Sequence, residues 1–376
     1  MKKRLIASLI IVPLCLGLLW GCEGSSGASP VPSPAETCAQ APEAMESPSL
    51  PAPEASPSSP LPVSGPEEIK ALLKEAIAAL SQPPGMDIGM AGLEQPETDV
   101  KNLYYEILAE SPELKYAYEL TISLQGTELC CRVHYMPYKT GQFPQGFEGT
   151  EIYSLSQLIE AAEENLGSSP LPLRICRDSL EPDSMNRALQ QVGGGYINCT
   201  LSSDATALVY SPPLGMDMES CLSALSQAEE LAGSLISQLT SEDMSQEEKA
   251  RALYSWLCSH VEYDRRYYSD RASMPYESQT ALGALRDGCA ICGGYANALK
   301  LLFEKAGIPC FNVSGIYYGE YHMWNIASLD GRWLWFDATS DRGSDGQYGF
   351  LRFALEDLDR DKYQWDESSV QELTEG

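Results

Sequence analysis

Gly288-Cys-Ala-Ile-Cys-Gly-Gly-Tyr-Ala-Asn-Ala-Leu-Lys-Leu-Leu-Phe-Glu-Lys-Ala-Gly307 is the stretch from which the rest of the chain can be read. Ala296, Leu299, Leu302, Phe303 and Ala306 fall on one helical stripe, and Gly307 before Ile308-Pro309 is a stop signal. The helix therefore begins at or just after Cys292. Unpaired amides at a helix N-terminus favour an anion, which lowers a cysteine's pKa and suits a developing oxyanion. Gly293 and Gly294 leave room for a substrate to approach.

Downstream, Tyr321 to Leu329 and Arg332 to Thr339 are strand-like runs joined by Asp330-Gly331, a type I′ turn pair. That turn opposes Leu329 to Arg332, hence Trp324 to Asp337 and His322 to Thr339. His322, Trp324, Trp335, Asp337 and Thr339 then share one sheet face. His322 and Asp337 become diagonal neighbours about 7–8 Å apart at the backbone, close enough for their side chains to meet. The chain has only three histidines, so one paired with an acid downstream of a helix-start thiol meets the requirements of nucleophilic catalysis: a thiol, a base and a group that orients the base. His260 lies on the helical stripe Leu253, Trp256, Leu257, Val261 and is expected as a packed core residue. His134 is expected as a structural residue of a strand.

The ordered set Gly288-Cys-Ala-Ile-Cys-Gly-Gly-Tyr-Ala296, Ala306-Gly-Ile-Pro309, His322-Met-Trp-Asn325, Leu329-Asp-Gly-Arg-Trp333 and Phe336-Asp-Ala-Thr339 resembles the bacterial transglutaminase-like superfamily. Glu248 to Tyr254, Tyr263-Asp264 and Thr280 to Leu285 extend the likeness upstream, over about residues 217–355. The resemblance selects Cys292 over Cys289, because the family's cysteine stands two residues before Gly-Tyr-Ala. It assigns His322 as base and Asp337 as orienting acid, with Gly293, Gly294, Tyr295, Trp324 and Asn325 as the supporting pocket. Ser340 departs from the family, whose members often carry tryptophan there. The implied fold is α+β and papain-like: a helix bearing the thiol packed on an antiparallel sheet. The implied chemistry is attack on an amide of a protein or peptide, ending in acyl transfer, deamidation or proteolysis. No cofactor and no metal are expected.

Two other readings use the same residues. Cys289, Cys292, Cys310 and His322 could make a structural zinc set, although a second closely spaced ligand pair is missing; Cys289-x-x-Cys292 could be a redox dithiol. A non-catalytic binding module on the same fold is the third. Asp341-Arg-Gly-Ser-Asp-Gly346 resembles the start of a calcium loop, but Arg352 stands where a glutamate is needed, which excludes it.

Upstream, residues 67–216 are expected as a smaller α+β domain, with residues 217–370 forming the transglutaminase-like domain. Helices are expected at Glu67–Leu80, Val100–Ala109, Ser154–Leu166 and Met185–Gln191, and hairpins at Tyr116–Met136 and Tyr196–Tyr210. The order suggests a degenerate duplication of a helix–helix–hairpin unit. Ser245 and Glu248 form a capping-box signature.

The N-terminus sets an expectation about location. Lys2, Lys3 and Arg4 precede an apolar run from Leu5 to Leu19 that is short for a membrane span. Leu19-Trp-Gly-Cys22 resembles a lipobox, so residues 1–21 are expected to be a lipoprotein signal and Cys22 the lipid-bearing residue. Residues 22–66, rich in Pro, Ser and Ala, cannot bury enough apolar surface to offset ordering and are expected as a disordered tether. The mature protein is thus expected outside the cytoplasm, held to the membrane through lipid. A net charge of −28 argues against nucleic acid and against a polybasic lipid contact. Of the 12 cysteines, those in apolar runs such as Cys199, Cys258 and Cys310 suit a small hydrophobe better than a disulfide.

Overall fold

The computed structural model describes residues 59–342, 350 and 352–375. The signal segment, Cys22, most of the tether and the Asp341–Gly346 run beyond Arg342 lie outside the described residues. Residues 61–66, read above as the end of the tether, are part of the fold. Val63 is buried, and Pro66 sits at the first position of a helix, where its missing amide costs nothing.

β1 (Leu61–Pro62), α1 (Pro66–Ala78), β2 (Met86–Asp87), α2 (Pro96–Glu110), β3 (Ala117–Gln125) and β4 (Glu128–Tyr135) make a first unit. After a single turn, α3 (Pro137–Thr140), come β5 (Thr150–Ile152), α4 (Leu155–Glu164), β6 (Leu171–Ile175), α5 (Pro182–Leu189), β7 (Asn198–Leu201) and β8 (Ala207–Ser211). The units share one topology. Their four-stranded sheets run β1-β2-β4-β3 and β5-β6-β8-β7. In each the first two strands are parallel and the remaining pairs antiparallel. In each a short 3-10 turn precedes the hairpin, Pro112–Leu114 and Gly193–Gly195. The parallel strands are joined by α1 and α4, as a parallel pair requires a crossover.

The rest of the chain is built around one buried helix. α6 (Met218–Leu239) and α7 (Gln246–His260) lead to β9 (Glu262–Tyr263), α8 (Arg266–Ser269), α9 (Ala281–Leu285), β10 (Cys289–Ala290) and α10 (Cys292–Lys305). β11 (Cys310–Tyr317), β12 (Glu320–Leu329), β13 (Arg332–Phe336), α11 (Ala338–Asp341), β14 (Arg352–Ala354), β15 (Tyr363–Trp365) and α12 (Glu367–Glu375) complete the fold. The five-stranded antiparallel sheet has the order β14-β13-β12-β11-β15. The Ser245–Glu248 capping box is formed at the start of α7.

α10 lies between this sheet and α6, α7 and α9. Tyr295, Ala296, Ala298, Leu299, Leu302 and Phe303 are buried, and Phe303 meets Phe336 of β13 edge-on at 5.3 Å. The opposite sheet face carries a second core of Val313, Trp324, Ile326, Trp335, Leu358, Tyr363 and Val370. His260 is exposed and stacks on Trp256 at 4.9 Å; it ends its helix, beyond the buried stripe, which corrects the expectation of a core histidine.

The described residues form one compact unit, and the repeats are stitched into the sheet that follows. The buried side chain of Gln191, just after α5, donates to Asn312 O at 2.9 Å and accepts from Asn312 N at 2.7 Å. β15 covers β11 only at Gly315–Tyr317, so this carboxamide continues the sheet edge where the strand stops. At the C-terminus, Glu372 of α12 accepts from Ser184 Oγ at 2.7 Å and pairs with Arg187 at 3.4 Å.

Candidate active site

Cys292 is the first residue of α10, and the neighbouring glycine explains why the helix can start there. A Cβ on Gly294 would lie 2.5 Å from Ser278 O and 2.7 Å from an Ala290 carbon, so only glycine lets the first turn seat this closely. The Ile291 amide donates to Ser278 O at 2.7 Å and fixes the approach.

His322 arrives on β12, opposite Gly315 of β11. Asp337 arrives differently from the expectation. The β12–β13 register is the expected one from Leu329↔Arg332 to Asn325↔Phe336, and there β13 ends. Asp337 leaves the sheet as the N-cap of α11, its Oδ1 accepting from Ser340 N at 3.0 Å. Trp324 and His322 therefore have no strand partners in Asp337 and Thr339. The side chains meet nonetheless: His322 Nε2 and Asp337 Oδ2 are 2.9 Å apart. With Nε2 turned to the acid, Nδ1 is the ring nitrogen left for the thiol, and Cys292 and His322 line the same cleft.

Burial pushes the Cys292 thiol up, but the His322 hydrogen bond and charge, with the Met323 and Gly293 amides, outweigh it and leave the thiol below its ordinary value. Burial pushes His322 down, but bonds and charges of Asp337 and Cys292 raise it to about 9. Burial pushes Asp337 up, yet His322 and then Ser340 hold it below the usual carboxylate range. These groups titrate as a set, and the directions of the Cys292 and His322 shifts both favour the thiolate beside the imidazolium.

The thiol opens into a cleft of about 470 Å³. Of the eight residues expected at the site, Cys292 and His322 line it. Asp337 is 2% exposed. The other five are braces rather than walls. Trp324 is 1% exposed and stacks under His322 at 5.8 Å. Tyr295 donates its hydroxyl to Val261 O. Asn325 donates to Ala296 O at 3.0 Å and to Asn312 Oδ1 at 2.9 Å, tying β12 to α10 and β11. Gly293 and Gly294 face Gln279 and Ser278.

The walls are instead Tyr263, Tyr267, Tyr268, Tyr317, Tyr318 and Tyr321, with Glu320, Thr339, Ser340 and Arg342. Tyr268, Tyr318 and Tyr321 are exposed. Arg342 lies over Tyr263 at 4.3 Å and donates to Thr339 O. These tyrosines come from two segments far apart in sequence, 263–268 and 317–321, which only the fold brings together. Among the described residues no three His, Cys, Asp or Glu side chains are grouped to hold a metal, so the zinc set of Cys289, Cys292, Cys310 and His322 is not assembled; Cys310 is buried under α10. Cys289 and Cys292 are both free thiols.

Residues 233–338 match the family model of the Transglutaminase-like superfamily. A 121-residue stretch is 30% identical to the kyphoscoliosis peptidase of Mus musculus and 29% identical to that of Homo sapiens. The match covers 29% of this chain and 18% of each relative, so it spans under a fifth of their length. Among solved structures, one described as a TGase aligns with a TM-score of 0.28 at 16% identity, over 49% of this chain and 56% of that chain. A putative cysteine protease from Cytophaga hutchinsonii aligns with a TM-score of 0.26 at 20% identity, over 40% and 55%. The chain thus carries a transglutaminase-like domain in a mixed α+β fold.

Proposed function

We propose that this protein is a cysteine-dependent enzyme acting on amide bonds of proteins or peptides. The observation that carries the reading is the convergence of a depressed thiol at the start of α10, a histidine raised to about 9 and a buried carboxylate 2.9 Å from that histidine, beside one open cleft. In this reading the Cys292 thiolate attacks the amide carbon and the electron pair moves to the carbonyl oxygen. The amide hydrogen of Gly293 stands at the helix start, where an oxyanion is favoured. Collapse of the intermediate breaks the C–N bond, and the His322 imidazolium gives its proton to the departing amine. A thioester remains on Cys292. Water or a second amine, deprotonated by His322, then attacks it, and collapse expels Cys292 as the thiolate beside the reprotonated imidazolium. Asp337 holds the ring and offsets its charge.

The tyrosine walls suit an extended peptide, whose apolar and hydrogen-bonding groups alternate. The same proposal puts the enzyme outside the cytoplasm on a lipid anchor at Cys22, facing envelope proteins; the basic Lys2, Lys3 and Arg4 and the lipobox-like Leu19-Trp-Gly-Cys22 support it.

The test uses purified protein, envelope-protein extracts and a fluorescent primary amine, with ammonia, amine incorporation and new peptide N-termini followed in parallel. At least one signal should appear with the wild type and vanish in Cys292→Ala. Signals independent of Cys292, or none of the three, would overturn the proposal.

A further inference from the structure

We infer that Tyr363 and Ser340 are positioning residues that lock the Asp337 carboxylate onto His322. The inference rests on the proposed roles of Cys292, His322 and Asp337. Both residues lie outside the stretch 233–338 matched to the family. Tyr363 comes from the far end of the fold, on the edge strand β15.

Asp337 Oδ2 accepts from three side chains at once: His322 Nε2 at 2.9 Å, Ser340 Oγ at 2.6 Å and Tyr363 Oη at 2.8 Å. Oδ1 accepts from the Ser340 amide. A carboxylate this deeply buried is costly to ionise unless donors surround it. Its two oxygens are also distinguished: the amide pins Oδ1, which turns Oδ2 toward the imidazole and the Ser340 and Tyr363 hydroxyls. Rotation of the carboxylate would break several bonds together.

Tyr363 does more than donate. Its ring lies tilted against Tyr317 at 4.4 Å and meets Trp324 edge-on at 5.3 Å, while Tyr317 and Trp324 stand 5.1 and 5.8 Å from the His322 ring. The three aromatic rings box in the His–Asp pair, which strengthens its hydrogen bond. Burial, and then the charge of Asp337, push the Tyr363 hydroxyl well up, so it stays protonated and can only donate to the acid. Tyr363 is in turn delivered by a C-terminal segment that α12 clamps to the second repeat through Glu372.

Removing a donor raises the Asp337 pKa and brings its protonation into the acid limb of reactivity. The experiment is the pH dependence of Cys292 alkylation by iodoacetamide, resolved by peptide mass so that Cys289 is read separately. It uses the full chain as wild type, Tyr363→Phe, Ser340→Ala, the double variant and His322→Ala. The acid limb should move to higher pH by about one unit in Tyr363→Phe, the scale expected for one hydrogen bond to a charged group, and further in the double variant. Phenylalanine keeps the ring, so a purely packing role would leave the limb in place. An unshifted limb in both single variants and the double variant overturns the inference, whatever happens to stability. If His322→Ala leaves alkylation unchanged, the parent reading of the site fails instead.

Discussion

Gln191 offers the sharpest test of how the N-terminal units and the five-stranded sheet depend on each other. Its carboxamide supplies both the donor and the acceptor at Asn312. Asn312 in turn donates to Asn297 Oδ1 on α10 at 2.8 Å and accepts from Asn325 on β12. Gln191→Met keeps the volume and removes both polar groups. The Asn312 amide and carbonyl are then buried without partners, at about 1–3 kcal/mol each, or about 2–6 kcal/mol together. Domains of ordinary stability hold about 5–15 kcal/mol, so the variant should fold yet unfold at distinctly lower urea. The assay is urea unfolding followed by tryptophan fluorescence. Gln191→Glu sharpens it. A carboxylate still accepts from the amide but confronts the carbonyl, so its folded pKa is raised. The protonated form can donate, and the deficit relative to wild type should therefore be small below about pH 4.3 and grow as pH rises through that value. A loss under about 0.5 kcal/mol in Gln191→Met, the range of ordinary surface changes, or a deficit in Gln191→Glu that ignores pH, would refute the claim that this side chain completes the sheet edge.

Other outcomes follow from the site. Asp337→Asn removes the main support of the His322 charge, so the alkaline limb of activity should fall from about 9 toward 6.5, with a rate loss of about 10²–10⁴-fold; an unmoved limb would contradict the assignment. His322 is raised on folding, so it contributes stability that is complete below pH 6.5 and lost as pH rises through about 9. The stability difference between wild type and His322→Gln should shrink across that window, and a constant difference would count against it. Gly294→Ala places a Cβ 2.5 Å from Ser278 O; it should cost about 1–3 kcal/mol by overpacking and slow Cys292 alkylation, whereas normal stability and reactivity would show that the helix start is not held as described.

What could be read from sequence were the features with a local signature. The stripe on α10 and its Gly307 stop, the Asp330-Gly331 turn and the Ser245 capping box are each decided within one element. The helices and hairpins of the two N-terminal units are legible, but β1, β2 and β5 have two or three residues each and are too short to alternate. Asp337 was placed near His322 for a partly mistaken reason. The run Asp337-Ala-Thr-Ser340 is an N-cap pattern as much as a strand end, and capping won because Ser340 offers both its amide and its hydroxyl. Tyr363 was out of reach, since a three-residue edge strand acquires its role only when the sheet brings it beside α11. The tyrosine walls have no periodicity, because β12, the β11–β12 turn and the α8 region supply them together.

The central claim is that His322 stabilises the thiolate form of Cys292. The most direct measurement is the ultraviolet absorbance of the thiolate as a function of pH, taken as the difference between wild type and Cys292→Ser and repeated with His322→Ala as background. The account predicts that the Cys292 signal titrates below the ordinary thiol value of 9 and moves to higher pH once His322 is removed, because burial, the largest influence on the sulfur, is then opposed only by the Met323 and Gly293 amides. A Cys292 that titrates at or above 9 in the wild type, or at the same pH with and without His322, would contradict it.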